Sequence, residues 1–147
     1  MGDEVDVDAL FDAIYNKDKE KVRSLLQDKR YTTVKKSDSR AKYDNEVEVD
    51  GYKFLGAYYG KMTGLQFAIM LGRDDVAKDI VDATLKDDLD LTYGGGNTAL
   101  HLASLLGERE VVKLLLERGA DRTIKNNKGF SPIDVVDDKD MTELLSN

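Results

Sequence analysis

The chain repeats itself every 33 to 35 residues, and that interval limits its possible folds more than any single motif does. Three segments align: KMTGLQFAIMLGRDDVAKDIVDA from Lys61, GNTALHLASLLGEREVVKLLLER from Gly96, and KGFSPIDVVDDKDMTELLSN from Lys128. Ala68 and Ala103 lie 35 positions apart, as do Gly72 and Gly107, and Ser131 follows Thr98 by 33. A fainter copy, VDALFDAIYNKDKEKVRSLLQ, stands near the start, with Leu10, Ala13, Val22, Leu25 and Leu26 in the matching slots. Units of this size cannot bury an apolar face alone, so they build a core only by stacking.

Each unit reads as two short helices. Thr63, Thr98, Ser131 and Asp8 stand where an N-cap oxygen would accept from the free amides of the first helix. The only proline, Pro132, follows Ser131 at the first helical position, where its missing N–H costs nothing. Gly72 and Gly107 close the first helix, where a left-handed residue is wanted. Val112, Leu115 and Leu116 then show the spacing of a second amphipathic helix, which Gly119 ends.

These pieces resemble the ankyrin repeat family. Thr98-Ala99-Leu100-His101 matches its Thr-Pro-Leu-His-type helix start, and Gly119-Ala120-Asp121 its later Gly-Ala-Asp. The resemblance covers roughly three quarters of the chain. It implies a mainly α fold, a solenoid of stacked helix–turn–helix units with β-hairpin turns. The expected layout is a single domain over 1–147, with units at about 5–27, 61–92, 94–126 and 127–147, the first and last serving as caps. The resemblance also implies a structural role for His101, the only histidine. In the family this residue ties neighbouring units together through backbone hydrogen bonds. Its counterparts here are Phe11, Gln66 and Asp134, and the two polar ones could act alike. The glycines Gly94, Gly95 and Gly96 lack the Gly-Lys-Ser/Thr end of a phosphate loop. They fall where the family turns into its first helix.

One stretch is too long for the pattern. Leu10 to Leu65 spans 55 positions where one repeat takes about 33, so about 28–60 is an insertion. Within it, Val47 and Val49 alternate with Glu46 and Glu48, Asp50-Gly51 follows, and Tyr52 and Phe54 flank Lys53. Aspartate-glycine between alternating runs predicts a β-hairpin, with Glu48 and Lys53 paired across it. Tyr43, Tyr52, Tyr58 and Tyr59 lie in this insertion. Their rings are either contact points for a partner or packing for the finger itself.

Composition excludes several functions. The chain has no cysteine, so disulfides and thiolate zinc sites are ruled out. Its net charge of -7 repels phosphate backbones, and no nucleic-acid ligand is expected. No signal peptide or membrane-spanning run is present, which leads us to expect an intracellular protein, cytoplasmic or nuclear. The acidic cluster Asp87, Asp88 and Asp90 lacks the EF-hand pattern, and neither metal nor cofactor is expected. No nucleophile–base constellation is legible, so the chain is read as a non-enzymatic interaction module.

In the family, partners engage a concave face made of turn tips and the ends of the first helices. The matching slots hold Tyr15, then Met70 and Leu71, then Leu105 and Leu106, with Met62, Tyr93, Asn97 and Phe130 at turn tips and Tyr58 and Tyr59 on the insertion. This set predicts an apolar and aromatic groove with an acidic rim, including Asp74, Asp75 and Glu108. Its expected partner is a protein or peptide with apolar anchors and some Lys/Arg. The chain is expected to be a monomer on its own, with self-association as an alternative. The stop at MTELLSN, inside a second helix, favours a regulatory domain excised from a larger protein, with an enzyme among the alternatives for that parent.

Overall fold

A computed structural model describes residues 4–146. The architecture is mainly α and serial. Helices α1 (Val7–Tyr15) and α2 (Lys19–Leu25) form the first pair, and α3 (Glu48–Phe54) lies in the insertion. Then come α4 (Gly64–Met70) with α5 (Asp74–Ala83), and α6 (Ala99–Leu105) with α7 (Arg109–Glu117). A single 3-10 turn, Pro132–Val135, stands in for the last first-helix and pairs with α8 (Lys139–Ser146). The tandem Val135-Val136 and the aspartates after it are poor helix formers, which fits so short a turn. First helices pack in the row α1, α4, α6 and the 3-10 turn; second helices pack as α2, α5, α7 and α8.

Short helices need firm ends. Thr63 accepts from the Gln66 amide and Thr98 from the His101 amide, and each partner side chain bonds back to the cap amide. At Ser131 the Asp134 carboxylate accepts from both the Ser131 amide and its hydroxyl. In α1 the expected cap was two residues out: Asp6, not Asp8, accepts from the Ala9 amide. Asp8 instead pairs with Lys36 at 2.9 Å. Inside, Phe11 stacks on Phe67 at 4.8 Å between the first two units. Ala68 and Ala103 are fully buried where the first helices meet, and their small side chains let the rows approach.

The insertion differs from its expected form. A hairpin was predicted over 46–54, and a helix, α3, occupies it. Alternation had masked a second pattern: Val47, Gly51, Phe54 and Leu55 follow helical spacing and turn inward. Val49 and Tyr52 turn outward, 77% and 42% exposed. Gly51 is there for close approach, since a Cβ on it would lie 2.7 Å from the Tyr43 ring. The pairing of Glu48 with Lys53 across strands therefore does not arise. A ribbon does exist at the root of the insertion, where β1 (Lys35–Lys36) pairs antiparallel with β2 (Met62–Thr63). The next ribbon is short, β3 (Thr92–Tyr93) with β4 (Asn97–Thr98). Gly94 between them sits at φ +52, and a Cβ there would lie 2.2 Å from the Tyr58 carbonyl oxygen. The glycine run thus makes room for the insertion to lie against the turn.

Gly72 and Gly107 both take φ +73 after the first helix. The equivalent slot of the first unit is filled by Lys17, the one described non-glycine residue with positive φ, at 62°. A side chain there costs about 1–2 kcal/mol. Lys17→Gly should therefore raise stability by about 0.5–1 kcal/mol, and Gly72→Ala, with open space around it, should lower it by about 1 kcal/mol. Urea denaturation of the two variants checks the opposite signs.

Candidate functional site

The third residue of α4 and of α6 ties its unit to the next. Gln66 Oε1 accepts from the Thr63 amide at 2.8 Å, and its Nε2 donates to the Leu91 carbonyl at 2.8 Å. His101 does the same with a ring. Its Nδ1 accepts from the Thr98 amide at 3.1 Å, and its Nε2 donates to the Phe130 carbonyl at 2.8 Å. These bonds define a neutral imidazole protonated at Nε2. Both nitrogens are spent on backbone, and the residue is fully buried. Burial holds its pKa below the usual histidine range, against a smaller opposite pull from the Phe130 carbonyl.

A lowered folded pKa means that the unfolded chain takes up the proton first. The contribution of His101 to stability is complete above its unfolded value of about 6.5 and is lost as pH falls toward the lower folded value. Wild type should lose stability relative to His101→Gln between about pH 7 and 5. His101→Ala should cost about 2–4 kcal/mol at pH 7.5 by orphaning two buried backbone groups. Urea titrations across that range measure both.

The insertion folds back over the ends of the first helices. Asp8, Asp12 and Tyr15 form one stripe along α1. Lys36 reaches Asp8, and Arg40 reaches Asp12 at 3.0 Å. Arg40 also grips Asp38 through Nε at 2.9 Å and Nη2 at 2.7 Å, with its guanidinium 4.7 Å from the Tyr15 ring centroid and 5.7 Å from that of Phe67. The Arg40 guanidinium holds the Asp38 carboxyl well below the usual carboxylate range. Further on, Tyr43 is buried, donates its hydroxyl to the Gly56 carbonyl, and meets Tyr52 and Tyr59 edge-on. The last carbonyls of α3 are taken by amides of the repeat: Asn97 Nδ2 donates to Leu55 O at 2.8 Å and Asn126 Nδ2 to Phe54 O at 2.9 Å.

This arrangement revises the expected binding residues. Met62, Tyr93 and Asn97, expected at exposed turn tips, are 1%, 3% and 0% exposed, because the insertion covers those tips. Met70 is buried too, at 6%. Met62, Tyr93 and Asn97 support the face from beneath, while Met70 still lines the large cleft between the insertion and the ends of the first helices. Tyr15 and Tyr58 are exposed; Leu71, Leu105, Leu106, Tyr59 and Phe130 are half-buried. The tyrosines split: Tyr43 packs the finger, Tyr59 bonds to the Tyr43 amide, and Tyr58 faces solvent.

Tyr15, Leu71 and Leu106 come together around a cleft of about 680 Å³ whose other wall is the insertion from Ser39 to Val47. Phe130 lies elsewhere, edge-on to Phe54 at 5.2 Å. Leu105 lines a separate, smaller cleft. Sequence reasoning missed Arg40, Asp38 and Asp12, because nothing local tells which helix an insertion will lie on. Among the described residues no group of three or more His, Cys, Asp or Glu could hold a metal ion.

Glu108 lines the larger cleft beside Asp74. Burial, and then the neighbouring Asp74 carboxylate, push its pKa up to about 9. The folded state therefore binds the proton that the unfolded chain gives up near 4.5. Stability from this residue is full at low pH and falls as pH rises through 4.5 toward 9. Glu108→Gln should be more stable than wild type at pH 8 and lose most of that advantage by pH 5, as thermal unfolding at the two values will measure.

Comparison with known proteins agrees with this geometry. The family model described as "Ankyrin repeats (3 copies)" matches residues 6–126, and the chain belongs to the ankyrin repeat family. It is 42% identical over 57 residues to Ankyrin repeat and SOCS box protein 11 of Danio rerio, covering 38% of this chain and 20% of that one. With Alpha-latrocrustotoxin-Lt1a of Latrodectus tredecimguttatus the identity is 32% over 113 residues, covering 74% and 8%. With tRNA endonuclease ANKZF1 of Mus musculus it is 42% over 65 residues, covering 44% and 9%. The chain spans a fifth or less of the length of these relatives. In three dimensions it resembles the ankyrin repeat domain of Bcl-3, with a TM-score of 0.66 at 20% identity, over 94% of this chain and 50% of that one. Ankyrin repeats in general mediate protein–protein interaction.

Proposed function

We propose that the chain is a non-enzymatic protein-binding module and that its partner docks in the cleft between the insertion and the ends of the first helices. The observation that carries this reading is the cleft itself. Tyr15, Leu71 and Leu106, from three successive units, border about 680 Å³ of open space. A row of apolar side chains left facing water is costly and marks an interaction surface. Asp44 and Glu46 line the same cleft as its negative groups, with Lys42 beside them, while Glu108 keeps its proton at neutral pH. The Arg40 charge beside them is already neutralised by Asp38 and Asp12. The partner is a protein or peptide segment with apolar anchors and basic residues, received by a preformed surface that lowers the ordering cost. Tyr58 and Phe130 are secondary contacts.

The module is one domain with units near 5–27, 61–92, 94–126 and 127–147, a monomer acting inside the cell. The length of its relatives is compatible with service as one domain of a longer, regulated protein. The test is the double variant Tyr15→Glu/Leu106→Glu. It should stay folded, with a cooperative melt within a few degrees of wild type, and lose at least about tenfold in capture of the wild type's partner. Unchanged capture by the folded variant would remove the cleft from the interface. Light scattering over a concentration series separates self-association from binding to a different protein.

A further inference from the structure

A second cleft lies on the other side of α3, between that helix, the end of α6 and the last unit. It measures about 270 Å³. That is below the roughly 300 Å³ at which sites for whole small molecules begin, and it suits a single side chain. Its apolar lining is Phe54, Leu105, Val135, Val136 and Met141. Its polar side is unusual in two ways.

First, Ser104 lines the cleft and is only 2% exposed, yet its hydroxyl has no hydrogen-bond partner among the described residues. A buried hydroxyl left unpaired is unfavourable, so the cleft holds unused bonding capacity. Second, three carboxylates line it, Asp50, Asp137 and Asp138, against one cation, Lys53. Asp138 is engaged by Arg109 at 3.7 Å and by the Asp140 amide. Lys53 lies over the Phe54 ring, 5.0 Å from its centroid. No other described residue bonds or pairs with the side chains of Asp50 and Asp137. An apolar shaft, an orphan hydroxyl and two unpaired carboxylates match one ligand chemistry: a long aliphatic stem ending in a cation.

We propose that this cleft is a pocket for one basic side chain, lysine or arginine, of a partner segment. One wall is the insertion helix, so the pocket is particular to this chain rather than general to its repeats. The proposal deepens the reading above, since it assumes that the partner is a peptide-like segment. It places that segment's cation beyond α3, away from the Tyr15 and Leu106 cleft.

The probes are N-acetyl-argininamide and N-acetyl-lysinamide, titrated into the isotope-labelled chain, with N-acetyl-norleucinamide as the uncharged control. At least one basic amide should give saturable amide shifts in the millimolar range at Ser104, Leu105, Val136 and Met141, and the control none. Asp50→Asn/Asp137→Asn alters two exposed, unpaired side chains and should keep the wild-type spectrum elsewhere, while weakening the basic amide about fivefold or more. The pocket is overturned by an absence of saturable shifts, by equal shifts with the norleucine probe, or by unchanged affinity in the folded double variant. Because the probes need no natural partner, failure here with capture still lost in Tyr15→Glu/Leu106→Glu discards the pocket and leaves the larger cleft standing.

Discussion

Two buried side chains hold this solenoid in register. Gln66 and His101 each bond backward to the cap of their own helix and forward to a carbonyl of the following turn. The constraint behind them is simple. Helices of seven residues leave a large share of their amides and carbonyls unpaired, and turns packed between helices cannot give theirs to water. In the two middle units one polar side chain, with an acceptor on one side and a donor on the other, answers both needs. Asp134, in the last unit, has acceptors only, so it completes its own cap and donates to nothing beyond.

The insertion shapes the functional surface more than the repeats do. It is anchored at one end by ion pairs of Lys36 and Arg40 with α1, and at the other by Asn97 and Asn126, which take the last carbonyls of α3. Between those anchors it walls the concave face and divides it into two clefts. Turn tips that would meet a partner in a simple repeat are covered by this chain's own backbone. The residues left facing open space are therefore fewer than the repeat slots imply.

Much of the fold was legible because repeats state the same rule several times. Thr63, Thr98 and Ser131 each announce a helix start, and Gly72 and Gly107 a helix end, so agreement between copies supplies what one copy leaves ambiguous. The insertion occurs once and has no such check. Its Glu-Val-Glu-Val alternation and Asp50-Gly51 pair favour a hairpin locally. Burial of Val47, Gly51, Phe54 and Leu55 against the repeat decided for a helix instead. Met62 and Tyr93 were misplaced for a related reason: their slots are exposed in an unadorned repeat and buried once something lies over them.

The sequence by itself determined the repeat length, the Thr63 and Thr98 caps, the structural role of His101 and the apolar character of the slots at the first-helix ends. Those features depend on neighbours within one unit or on a periodic copy, and short-range chemistry fixes them. Only the tertiary structure decided where the insertion lies, that Arg40 rests on Tyr15 and Phe67, and which apolar slots stay open to a partner. These depend on contacts between residues dozens of positions apart, where the favoured arrangement is the one that buries Tyr43 and pairs Arg40 with Asp12. No local pattern encodes that outcome.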